Sequence, residues 1–236
     1  MAEPSSPASP GVSPITPIGT APASADELRG LSLARAAAGM SLVSLLLALL
    51  SPVVLILVSG IEIHYGAFHY GSGSFSITVF EQLLEVLIIG FILGLVALVL
   101  YVLSFGAFRR VQANFGGPRA LVVVGIIGTL LVFVGLVEVL QQFLMTASCV
   151  GSGGTSTCVS IGAIYGAVLA IFFGLILAFI GWIGLVIGLY RIGNRYKSTV
   201  TKVGAILTII PVLTIIAPIL VLVGVSSSLH EVRSRT

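Results

Sequence analysis

Three carboxylates, two histidines and two cysteines are the reactive side chains whose spacing bears on chemistry in this 236-residue chain. Glu81 and Glu85 lie one helical turn apart, and Glu138 precedes Gln141 and Gln142 by a turn. His64 and His69 stand in the stretch IEIHYGAFHYGSGSF. Carboxylates and imidazoles gathered in this way hold a cation or relay protons, and an ionisable group in a membrane helix is a functional candidate by default. The competing reading is a set of polar residues hydrated at a membrane rim, with Tyr65 and Tyr70 in an aromatic belt; the position of all three glutamates near the ends of apolar runs favours it. Cys149 and Cys158 enclose CVGSGGTSTC. Their spacing permits a disulfide, with a pair of free thiols as the alternative. Two thiols in a loop without His or acid fall short of the four ligands of a structural zinc site.

The surroundings of these residues are set by composition. Hydrophobic residues make up 57% of the chain and charged residues 8%, with a mean hydropathy of +1.19. Too few charges remain to cover a water-facing surface, so the expected class is an all-α integral membrane protein. The net charge of +3 does not indicate nucleic acid, because the basic residues lie between apolar runs, where they set topology.

Residues 1–28 carry six of the ten prolines among Ser, Ala, Gly and Thr, and are expected to form a disordered cytoplasmic tail. A secretory signal is not expected, since Arg29 is the first basic residue. Five apolar runs follow, at about 36–59, 83–105, 120–145, 161–190 and 203–225, each matching the roughly 20 helical residues that cross a bilayer. The domain is thus read as a bundle of five transmembrane helices over 29–228, with a short tail over 229–236.

Nine of the eleven Lys and Arg residues fall before the first run or in the second and fourth connections, which lie on one side if the chain crosses five times. The first and third connections contain none. The crowded side is expected to be cytoplasmic, giving an N-terminus inside, a C-terminus outside and the cysteine loop outside, where a disulfide persists. Arg233 and Arg235 are the exceptions to this count.

Small residues suggest the packing. Gly90 and Gly94 form one small-xxx-small pair, Gly125, Gly128 and Gly135 share a face of the third run, and Gly162, Gly166, Gly174, Gly181, Gly184 and Gly188 share a face of the fourth. The fourth run is expected at the centre of the bundle. In the fifth, Pro211 and Pro218 each remove a backbone donor and mark a candidate helix break. A re-entrant fifth run, which brings Arg233 and Arg235 inside, is the rival topology. The second and third runs, and the fourth and fifth, read as parallel hairpin repeats.

The stretches LRGLSLARAAA, FGAFRRVQANFGGPRALVVVGIIGTLL and LYRIGNRYKSTVTKVGAILTIIPVLTIIAPILVLVG are similar to a family of small multispanning archaeal membrane proteins, common in Crenarchaeota, classed as a domain of unknown function. The resemblance covers most of 27–225 and implies a polytopic helical protein of an archaeal cell membrane. It brings no activity and no functional residues.

HExxH, GxSxG, P-loop and dinucleotide fingerprints are missing from the sequence, so neither an enzyme nor a cofactor is expected. The expectation is a non-enzymatic protein that organises partners or lipid, with homo-oligomers or membrane partners docking on the glycine-rich faces. The alternative is a small transporter or channel that uses Glu85 and Glu138 with the broken fifth helix.

Overall fold

The computed structural model describes residues 24–59, 77–151, 161–210, 213 and 215–234; for 51–59, 77–84, 87, 113, 143–151 and 161–163 the description is of the backbone alone. The helices are α1 (Ala25–Ser59), α2 (Ile77–Val111), α3 (Gly116–Gly151), α4 (Ile161–Arg195), α5 (Thr199–Leu207) and α6 (Ile216–Arg233), with a 3₁₀ turn at Ala113–Phe115 between α2 and α3. The described chain is all helical, and five helices are long and apolar enough to cross a membrane. A polytopic membrane protein is therefore the class.

Two antiparallel helix pairs, α1/α2 and α3/α4, form the frame. In the first, Ser104 Oγ donates to the carbonyl of Gly30 at 2.8 Å and Ser44 Oγ donates to that of Gly90 at 2.8 Å. Hydroxyls meeting bare backbone carbonyls across a seam are how membrane helices approach closely without a hydrophobic drive. In the second pair the glycines of both helices interlock. A Cβ built on Gly125 would sit 2.6 Å from Gly181 Cα, and one on Gly174 would sit 2.8 Å from Gly128 O. The expected glycine faces are thus buried against each other inside one chain, while Gly166 faces open space.

The placement of α4 differs from the expectation of a central helix. Val168, Leu169, Phe172, Phe173, Ile176 and Phe179 are all exposed. Its glycine face is filled by α3 alone over this half, which leaves the bulky residues on the remaining faces to lipid. Only toward its C-terminus does α4 enter the core, with Leu189 and Ile192 buried beside Leu31, Phe105, Phe108 and Phe115.

The larger correction concerns the fifth run. It is not a single crossing over 203–225, because the chain leaves the helix after Leu207 and resumes it at Ile216. A Cβ on Gly204 would lie 3.0 Å from Val221 N, and one on Gly224 would lie 2.7 Å from Thr201 N. As one number falls the other rises, so α5 and α6 are antiparallel. At 1.5 Å per residue, the 9 residues of α5 cover about 14 Å, less than half of the hydrocarbon thickness. The hairpin tip stops level with Ser44, Gly94 and Trp182, which line one cavity with Thr208 and Pro218. From there α6 returns, and Leu229 and Val232 pack in the same core as Leu31 and Phe108. The C-terminal end of α6 and the N-terminal end of α1 therefore share one end of the bundle, which overturns the placement of the C-terminus opposite the N-terminus. The repeat idea falls with it, since the α5/α6 hairpin has no counterpart of the 36-residue α3.

The reason is local. Pro218 occupies the first turn of α6, where a missing N–H is tolerated because the opening donors of a helix lack intrahelical acceptors. Around the break, the N–H groups of Ile209, Ile210 and Leu213 reach the carbonyls three residues back at 3.0, 3.1 and 2.9 Å. Tight turns of this kind keep backbone polar groups satisfied where water is scarce. Ile209, Ile210, Ile215 and Ile216 are exposed there, an uncharged tip suited to hydrocarbon. The expected tail, 1–28, lies outside the described residues up to residue 23; α1 begins at Ala25.

Candidate functional site

With α6 returned, every described Lys and Arg lies at one end of the bundle: Arg29 and Arg35 on α1, Arg109 and Arg110 on α2, Arg119 on α3, Arg191 and Arg195 on α4, Lys197 and Lys202 at α5, and Arg233 on α6. The same end holds Asp26, Glu27 and Glu231. The exception that the single-crossing reading left at Arg233 thereby disappears.

The centre of this end is Glu27. Ser24 and Glu27 form a capping box at the start of α1, with Glu27 N–H donating to Ser24 Oγ at 3.2 Å and Ser24 N–H donating to Glu27 Oε2 at 3.3 Å. The other carboxylate oxygen, Oε1, accepts from Arg195 Nε at 3.1 Å, from Arg195 Nη2, and from the Tyr196 hydroxyl at 3.4 Å. One carboxylate thus accepts from the Ser24 N–H at the start of α1 and clamps the last turn of α4. Arg195 also donates to Gln112 Oε1 at 2.9 Å. Burial, with the Glu27 charge beside it, pushes the Tyr196 phenol up to about 12, so it remains a neutral donor.

The chain reverses at once after this clamp. Ser198 N–H donates to Gly193 O at 2.9 Å and Lys197 N–H to Asn194 O at 3.4 Å, which is a Schellman motif with Lys197 in the left-handed position at φ 52°. Ser198 then caps α5 by accepting from Thr201 N–H at 3.3 Å. Two residues therefore close one helix and start the next, which fixes where the re-entrant hairpin begins.

Among the described residues, cavities flank this scaffold at three places. One of about 390 Å³, between α1 and α2, is lined by Asp26, Arg29, Leu33, Leu103, Arg109, Arg110 and Arg119 among others. A second of about 410 Å³ is lined by Gln112, Asn114, Phe115, Arg191, Asn194 and Arg195, and Arg191 donates across it to the Asn114 carbonyl. The third, about 310 Å³, lies deeper at the hairpin tip and is lined mostly by apolar groups with Ser41, Ser44, Tyr101 and Thr208. Its hydroxyls are engaged, with Ser44 bonded to Gly90 O and Thr208 Oγ1 to Gly204 O at 2.9 Å.

The residues singled out from the sequence lie elsewhere. Glu85 is exposed on α2 and Glu138 is half-buried on α3, both at the end opposite the arginines. Phe91 and Phe133, stacked at 4.1 Å between their centroids, hold α2 and α3 together one to two turns deeper. None of the three cavities is lined by Glu81, Glu85 or Glu138. The side chains of Glu81 and Cys149 are outside the description, and His64, His69, Cys158 and Pro211 are outside the described residues altogether. Among the described residues no group of three His, Cys, Asp or Glu is placed to hold a metal. Glu27 and Arg195 are the residues that the sequence reading missed. Ser24-x-x-Glu27 ahead of an apolar run was the available signal for the first; nothing local marks its pairing with a residue 168 positions away.

A helical bundle that carries an apolar belt and cations at one end defines the class as a polytopic membrane protein. Over residues 27–236 the chain matches the family described as protein of unknown function (DUF973), and it belongs to that family. No curated protein and no solved structure matches it significantly.

Proposed function

We propose that this is a non-enzymatic, multi-pass protein of the cell membrane that organises lipid or partner proteins at its basic end, with that end toward the cytoplasm. The carrying observation is the gathering of all described Lys and Arg at one end, around two open polar cavities and on helix ends locked together by Glu27. A rigid cationic end matches the anionic surface of the inner leaflet or an acidic partner segment. Glycine faces occupied within the chain leave the charged end, rather than the helix faces, as the recognition surface. Affinity purification of the full chain in mild detergent, with identification of co-purifying lipids and proteins, tests the reading. Enrichment of anionic lipid or of a defined partner is expected; a protein recovered with neither overturns it. Reporters fused to both termini should be found on the same side of the membrane.

A second reading, transport, draws on a different observation: the break between α5 and α6 lies beside the 310 Å³ cavity, as broken helices do at transport sites. Its lever is then the hairpin rather than Glu85 and Glu138. Cation or proton flux in liposomes that survives Glu138→Gln but not Thr208→Val would support it. No flux at any pH removes it.

A further inference from the structure

We infer that the groove between α1 and α2 at the basic end is a binding site for the phosphodiester headgroup of an anionic lipid, a site that gives the organising role proposed above its ligand. Positions 26, 29 and 33 of α1 and positions 103, 106, 107 and 110 of α2 recur at helical spacing, so each helix contributes one stripe to the cavity. Four guanidinium groups line it, from Arg29, Arg109, Arg110 and Arg119, against one carboxylate, Asp26. Asp26 is already engaged, accepting from Arg110 at 3.4 Å. Among the described residues the guanidinium groups of Arg29, Arg109 and Arg119 have no hydrogen-bond or ion-pair partner. Such a surplus is unfavourable by self-repulsion unless an anion enters, and guanidinium forks match phosphate oxygens in pairs.

The placement of Arg119 makes this more than a scatter of interfacial cations. It starts on α3, on the far side of α2, and its guanidinium lies over Gly106, with Cζ 3.6 Å and Nε 3.7 Å from where a Cβ would stand. The missing side chain at 106 lets a third helix add its charge to a groove made by the other two. The lower wall then changes character. Leu33, Leu103 and Ala107 are apolar, and Leu103 is 50% exposed on the outer face of α2, where hydrocarbon chains run. Polar cations above an apolar wall open to the lipid side suit a lipid with its chains attached. A soluble phosphate has no use for the lower half.

The test uses the full chain, delipidated in detergent, with binding read by native mass spectrometry. The probes are dioleoyl phosphatidylglycerol, dioleoyl phosphatidylcholine and inorganic phosphate. Phosphatidylglycerol is expected to bind at least tenfold more tightly than phosphatidylcholine. The triple variant Arg29→Gln/Arg109→Gln/Arg119→Gln should weaken it about a hundredfold, roughly fivefold for each basic group removed near an anionic surface. The control Arg35→Gln/Lys197→Gln/Lys202→Gln removes the same charge outside the cavity and should weaken it by less than about fivefold. Gly106→Leu keeps every charge but displaces Arg119, and should reproduce a loss of about fivefold, which keeps the test decisive if the triple variant is poorly folded. Equal loss in both triple variants, or equal binding of the two lipids, overturns the site. Inorganic phosphate binding as tightly as phosphatidylglycerol overturns the lipid assignment. Equal loss in both variants with anionic lipid still enriched on purification would leave the organising role standing and remove this groove from it.

Discussion

Replacing Gly125 by Ala adds one methyl group at a close backbone approach in the α3/α4 seam. The new Cβ would meet Gly181 Cα at 2.6 Å and the Gly181 carbonyl carbon and nitrogen at 3.4 Å. Carbon atoms pack best at about 3.5–4.0 Å, so the overlap is roughly 1 Å. It falls on backbone, which cannot rotate away as a flexible side chain would. Either the helices part by that amount along the seam, or the strain stays; overpacking of this kind typically costs about 1–3 kcal/mol. At about 2 kcal/mol the unfolding equilibrium constant rises roughly 30-fold. Gly166→Ala on α4 is the internal control, because a Cβ there meets nothing within 4 Å. With no clash, the better helix propensity of Ala should stabilise by up to about 1 kcal/mol. Unfolding by a denaturing detergent in mixed micelles, followed through Trp182 on α4, the chain's one tryptophan, reads both variants. Equal stability of Gly125→Ala and Gly166→Ala would refute the reasoning, since helix propensity would then outweigh contact and the seam would have slack.

Glu27→Gln should destabilise by about 1–3 kcal/mol, because it leaves Arg195, 20% exposed at its side chain, without its anion. A double-mutant cycle with Arg195→Gln in thermal unfolding should show coupling, and strict additivity would deny the clamp. Lys197→Gly should stabilise by about 0.5–1 kcal/mol, since φ 52° strains a side chain but not glycine, whereas Lys197→Val should destabilise. Tyr196 also predicts an alkaline limb. Its folded value near 12 lies above the ordinary 10.0, so the stability it contributes is complete below pH 10 and is lost as pH rises through 12. Tyr196→Phe should flatten that part of a stability profile measured from pH 9 to 12.

The recovery of the fold from the sequence was uneven for physical reasons. Length and apolarity of each run are local properties, so five helices of membrane length were legible without any contact, but the break inside the fifth run was not. Glycine faces were legible too, because 100° per residue places Gly125, Gly128 and Gly135 together whatever they touch. Their partner was not, since a stripe of small residues states that something approaches closely but not which helix does so. The site was less legible still. Attention fell on Glu85 and Glu138 because carboxylates in apolar runs stand out, whereas Glu27 and Arg195 sit among ordinary helix-end charges and gain meaning from their convergence.

Composition, hydropathy and charge spacing alone decided that the chain lives in a membrane, how many helices are long enough to span it, and which connections are cationic. The tertiary structure decided the path of the last run. Prolines at 211 and 218 permit a kinked crossing or a reversal equally well, for both remove backbone donors from the same segment. The choice is made by long-range packing, where Gly204 admits Val221, Gly224 admits Thr201, and Leu229 and Val232 find a core already built from α1, α2 and α4. That burial is a property of the assembled bundle, and it is what returns Arg233 to the end where the other described basic residues stand.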